Sequence, residues 1–123
     1  MSRKVLAAAG FEQQKYYLEK EFAFLPEAIQ EDLRRICIFL AEKLNCTFLM
    51  GFEENGDLYF ETVKREDDFD FDEIGAELEI KELQRKEKEL LRALELWYVI
   101  FFTKEGEKAK QELLHRAAQG QEE

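Results

Sequence analysis

CTFLMGFEENGDLYFETVK, residues 46–64, reads as two apolar, β-rich runs joined across Asn55-Gly56. Asn-Gly supplies the two positive-φ positions of a two-residue type I′ turn, so the stretch predicts a β-hairpin. With that turn, Phe52 faces Tyr59, Met50 faces Glu61 and Phe48 faces Val63 on one side. The other side carries Leu49, Leu58 and Phe60, with Gly51 opposite Phe60. Both faces are then largely apolar, and each calls for a cover.

The segment before the hairpin supplies one cover. Pro26 opens a helix where its missing N–H costs nothing. Ile29, Leu33, Ile36, Cys37, Leu40 and Leu44 follow at helical spacing, Ile38 and Phe39 widen the stripe, and Asn45 ends it. Further back, residues 4–9 and 15–20 read as two short extended runs turned by Gly10 and the polar stretch after it, a second hairpin. A short helix competes there, because alanine, glutamine and lysine favour helix.

The other cover is expected from the C-terminal half. Ile80, Leu83, Leu90, Leu94, Trp97 and Phe101 keep alternating four- and three-residue spacing, and only Glu87 interrupts the stripe. One helix over about 71–102 would be roughly 45 Å long at 1.5 Å per residue, longer than a domain this size needs. Ala76, Leu78 and Ile80 alternate with charges, and Leu96 to Phe102 is aromatic and β-branched, so both stretches also fit strands. Uninterrupted strong helix formers between them favour helix. Gly106 breaks the chain, residues 107–118 form a weak amphipathic pattern around Leu113 and Leu114, and the end from Gly120 reads as frayed.

At 123 residues, 46% of them hydrophobic, the chain has room for one core. Residues 1–105 are expected to make a single domain and 106–123 a tail. The net charge of −10 is concentrated: residues 53–73 hold ten acids against Lys64 and Arg65. Such a surface repels nucleic-acid phosphates and anionic lipids, and leaves a basic protein or a cation as possible partners. Cys37 and Cys46, without a second pair or a nearby histidine, suggest neither a zinc site nor a disulfide framework. The run VLAAA is too short for a signal peptide, and the longest apolar run, Leu96 to Phe102, is too short to span a bilayer. A reducing, cytoplasmic setting is the expectation.

EDDFDFDE, residues 66–73, is the best candidate for chemistry. Asp68, Asp70 and Asp72 give D-x-D-x-D, with Glu79 at the twelfth position, as in the ends of a calcium-binding EF-hand loop. Glu73 takes the place of the sharp-turn glycine, however, and the preceding segment reads as strand. A structural reading uses more of the residues. Asp70 as N-cap and Glu73 three positions on make a capping box, with Phe69 and Ile74 as its hydrophobic staple. Glu61, placed between apolar neighbours, is the one acid that invites a carboxylate-enzyme reading, although exposure at the sheet rim is commoner. His115 is the only histidine and Ser2 the only serine, so no nucleophilic triad can be assembled. No P-loop or Rossmann glycine pattern is present. Trp97, Tyr98, Phe101 and Phe102 could stack a flat ligand, but a buried helix end explains them equally. No cofactor is implied.

FLPEAI at 24–29, FEENGDLYFET at 52–62, EDDF at 66–69 and DEIG at 72–75 together resemble a family of small uncharacterised bacterial proteins, mainly clostridial. The resemblance spans about residues 4–103. It implies a bacterial cytoplasmic setting and, the family having no assigned activity, no functional residue.

The sequence therefore predicts an α+β domain: an antiparallel sheet of β-hairpins packed against two main helices, the C-terminal one long. Function is expected to be non-enzymatic, an interaction or regulatory module acting as a homodimer, because the apolar surface exceeds what one copy can hide. The expected contact is Leu90, Leu94, Trp97 and Phe101, or the hairpin face of Leu49, Leu58 and Phe60. Cation binding at Asp68, Asp70 and Asp72 and a small carboxylate enzyme are the alternatives.

Overall fold

Gly56 adopts φ 96° whereas Asn55 does not take a positive φ, and this one difference sets the sheet. Gly56 N–H donates to Glu53 O at 2.9 Å, and Glu53 N–H donates to Asp57 O at 2.7 Å. The loop is therefore a three-residue turn closed by a left-handed glycine, not a two-residue type I′ turn. Asn55 uses its side chain instead, its Oδ1 accepting from Asp57 N–H at 3.0 Å. A methyl group on Gly56 would also come within 3.1 Å of the Tyr98 ring.

The computed structural model describes residues 3–103 and Gln111. In order these form β1 (Lys4–Gly10), β2 (Lys15–Leu18), a 3-10 turn (Lys20–Phe22), α1 (Glu27–Leu44), β3 (Thr47–Phe52), β4 (Leu58–Val63), α2 (Glu73–Lys86) and α3 (Lys88–Phe102). The strands make one antiparallel sheet of order β2-β1-β3-β4. The fold is α+β, as the sequence indicates. Both expected hairpins form, and the segments 76–80 and 96–102 are helical. The expected helical pattern over 107–118 falls, Gln111 apart, outside the described residues.

The extra loop residue moves the register of β4 by one. Phe52 pairs with Leu58, Met50 with Phe60, Phe48 with Thr62 and Gly51 with Tyr59. A one-residue slip sends every side chain of a strand to the opposite face. Leu58 and Phe60 consequently join Phe48, Met50 and Phe52 on the core side. Leu49 lies on the outer side with Tyr59, Glu61 and Val63. Leu49, Leu58 and Phe60 thus do not share a face, contrary to the sequence expectation.

Both covers fall on the same side of the sheet. Leu33, Ile36, Cys37 and Leu40 of α1 and Leu91, Leu94 and Tyr98 of α3 enter one core with Phe48, Met50 and Phe52. A bulge in β1 between Val5 and Ala7 lets two consecutive residues, Leu6 and Ala7, point into that core. The 3-10 turn drops Phe22 between Phe52 and Phe102, with ring centroids 5.5 and 5.2 Å away. The outer face carries Tyr17 and Val63, each about half exposed. Over its centre the Tyr59 ring crosses Gly51, where a Cβ would meet it at 2.8 Å. Arg3 lies over that ring at 4.1 Å and pairs with Glu53 at 3.1 Å.

The expected single long helix is two. Glu87 stands at φ −106°, ψ 29°, outside helical geometry, and the chain restarts at Lys88. Strands of six residues run only about 20 Å, so a straight rod of the expected length would overrun them. The break at Glu87, the one polar residue in the stripe, allows Leu83 before it and Leu94 after it to enter the same core. Leu94 is completely buried there. On the open edge of the sheet, Leu58 N–H donates to Glu95 Oε2 of α3 at 3.1 Å.

Candidate functional site

A groove of about 570 Å³ lies between α1 and α2. Its floor is apolar, made of Ile36, Leu40 and Leu83, and Phe39 stands on its lip, 56% exposed. Two ion pairs tie its walls together: Arg35 to Glu87 at 3.3 Å and Lys43 to Glu79 at 3.2 Å. Lys43 also lies 5.7 Å from the Phe39 ring centre. These residues meet because α1 and α2 each continue their charged flanks beyond the buried stripe. The sequence offered one signal for the groove, the position of Phe39 beside the stripe, and none for the partners of Arg35 and Lys43.

Lys43 and Glu79 also line a second concavity of about 420 Å³, which contains Asp68, Asp70 and Asp72. The acidic stretch sits there in an arrangement different from the expected one. The N-cap of α2 is Asp72, whose Oδ1 accepts from Gly75 N–H at 2.9 Å. Asp70 is not the cap; its N–H donates to Asp68 Oδ1 at 3.2 Å. With Asp72 as cap, the third helical position is Gly75, which has no side chain to complete a capping box. Phe69 and Ile74 are 87% and 73% exposed, so they form no staple. The staple positions become Phe71, half-buried, and Ala76, buried. Among the described residues, no three of His, Cys, Asp and Glu gather into a metal-ligand set. Asp68, Asp70 and Asp72 therefore stand as turn and cap residues in one acidic groove.

The remaining candidates are distributed, not gathered. Glu61 is exposed on the outer face of the sheet, opposite Leu49. Cys37 and Cys46 are both free thiols and both buried. Burial pushes the Cys37 thiol up to about 12 and Cys46 up to about 11. Such thiols stay protonated near neutral pH and are poor nucleophiles. Tyr16 is raised to about 12, first by burial and then by Cys37 beside it. His115 and Ser2 lie outside the described residues.

The expected interface residues divide by burial. Leu90 and Trp97 pack partly buried against the core and Leu94 is inside it. Phe101 stacks on Trp97 at 5.0 Å and meets Phe24 at 4.7 Å. Of the four, Leu94 alone is fully withdrawn from solvent; Leu90, Trp97 and Phe101 keep part of their surface outside. Of the exposed apolar side chains, Phe69, Ile74 and Leu78, 61% exposed, fall on α2 and the turn before it, while others such as Phe39, Val63, Leu96 and Val99 are spread over α1, the sheet and α3. Leu78 alternates with charges in a way that also fits a strand, but the segment is helical. Projected at 100° per residue, Leu78 and Ile74 fall opposite Ala76, Ile80 and Leu83.

Fold and grooves together define an α+β protein in which a four-stranded antiparallel sheet carries three helices, none among the described residues long and apolar enough to cross a membrane. The chain belongs to DUF6145, a family of unknown function, whose model matches residues 3–106. No curated protein and no solved structure matches the chain.

Proposed function

We propose that this protein is a non-enzymatic interaction module that acts as a homodimer in a bacterial cytoplasm. The observation that carries the reading is that a closed core coexists with large apolar side chains left in solvent. Leu6, Leu33, Phe48, Met50 and Leu94 are fully buried, while Phe69, Ile74 and Leu78 are more than half exposed within about ten residues of each other. Scattered exposed apolar residues are ordinary on a soluble protein, but a concentration on one short stretch marks a contact surface. The buried thiols, both free, accord with a reducing compartment.

Light scattering after gel filtration tests this reading. The expected mass at micromolar concentration is twice the 14.6 kDa of the chain. A monomer at that concentration overturns it.

A further inference from the structure

We infer that the second copy docks on the solvent side of α2, helix against helix in antiparallel orientation, through the stripe of Ile74, Leu78, Lys81 and Arg85. The inference rests on the homodimer reading and names its face. All four residues are exposed, and their spacings of four, three and four place them on one side of the helix, away from Ala76 and Leu83 in the core. Docking there leaves the packing of each copy intact.

Charge along the helix selects the occupant. The first half of α2 carries Glu73 and Glu77 beside the stripe, following Asp72; the second half carries Lys81 and Arg85 within it. Glu79 and Glu87 are turned to the other side, where they pair with Lys43 and Arg35 of α1. Arg85 bonds Glu82 on its own helix at 2.7 Å and remains exposed. The first end of the solvent side is thus acidic, and the other carries Lys81, Arg85 and Lys86 against the single acid Glu82, a net positive balance. A two-fold axis near the middle of the stripe sets Ile74 opposite Arg85 of the second copy and Leu78 opposite its Lys81. The aliphatic stems of the bases then cover the two apolar residues, while their charged ends reach toward Glu73 and Glu77. The same residues do both jobs in both copies, which is the requirement for an isologous contact. Parallel pairing would set acid on acid and base on base.

A charge-swap pair of variants tests the face. One variant is Lys81→Glu with Arg85→Glu; the other is Glu73→Lys with Glu77→Lys. Each alone should run as a monomer in light scattering with its circular dichroism retained. An equimolar mixture should recover a dimer, since each half of one helix then meets the opposite charge on the other. If both variants remain dimeric, the contact lies elsewhere; the α2 face is overturned and the homodimer reading stands. If both are monomeric and the mixture stays monomeric, charge pairing across α2 is overturned. The full exchange, Glu73→Lys and Glu77→Lys together with Lys81→Glu and Arg85→Glu, tests the orientation. In the antiparallel contact it pairs with itself and not with the wild type, and the reverse result overturns that orientation. A monomeric wild type overturns both readings. Should either double variant lose its helical signal, Leu78→Ala, which keeps a helix-favouring residue at a solvent position, is expected to weaken dimerisation at least tenfold. An unchanged dissociation constant for Leu78→Ala overturns the inference.

Discussion

A single carboxylate decides where α2 begins. Asp70 and Asp72 are alternatives in the sequence, each with an acid nearby and a phenylalanine before it, and the expected capping box favours Asp70. The structure gives the cap to Asp72 because Gly75, three residues on, presents an N–H that the Asp72 carboxylate reaches at 2.9 Å. Replacing an N-cap aspartate by alanine costs about 1 kcal/mol. Asp72→Ala is therefore expected to lower the unfolding free energy by about that amount in urea titration, and Asp70→Ala to change it by less than about 0.5 kcal/mol. The reverse ranking would restore the sequence expectation. Residue pattern favours Asp70, whose third following residue is Glu73, and only backbone geometry gives the cap to Asp72.

The elements themselves were legible, and their joints were not. α1 follows its apolar spacing from the residue after Pro26 to the left-handed Asn45, and the two hairpins follow their turns. Asn55-Gly56 marks the place of the turn correctly, but its length depends on whether one residue or two adopts positive φ. That single backbone choice exchanges the faces of Phe60 and Val63. Phe60, packed on the core, should cost about 2 kcal/mol or more on truncation to alanine. Val63→Thr on the outer face should stay within about 0.5 kcal/mol. Equal effects in chemical denaturation would contradict the observed register. The break at Glu87 is the same kind of joint: the sequence shows the interruption of the stripe, while the pairing of Glu87 with Arg35 of α1 appears only in the fold.

For the whole molecule, legibility ended at the surface. Which apolar residues fill one core can be read from periodicity, but which remain outside depends on how many faces the helices cover. A two-faced hairpin and an overlong helix are the sequence expectation, which places the surplus on Leu90, Leu94, Trp97 and Phe101 or on Leu49, Leu58 and Phe60. One covered face takes in Leu94 fully and Leu90, Trp97 and Phe101 in part, and leaves Ile74 and Leu78 in solvent. The closed core also governs the response to alkali. The Cys37 thiol has an ordinary value of 9.0 and is held at about 12 by burial. Below pH 9 it is protonated whether the chain is folded or not; above that, the unfolded chain ionises first and folding loses ground until the native thiol titrates. Stability measured by urea titration is thus expected to fall from about pH 9 upward, and less steeply in Cys37→Ala.

Glu95 has a consequence for how copies of this protein can join. By holding Leu58 N–H, it closes the start of the margin along which a neighbouring chain would add itself as a fifth strand. Growth by strand addition has no natural stopping point, and such margins seed fibrils. Glu95 thereby removes one of the backbone donors that such an added strand on β4 would need.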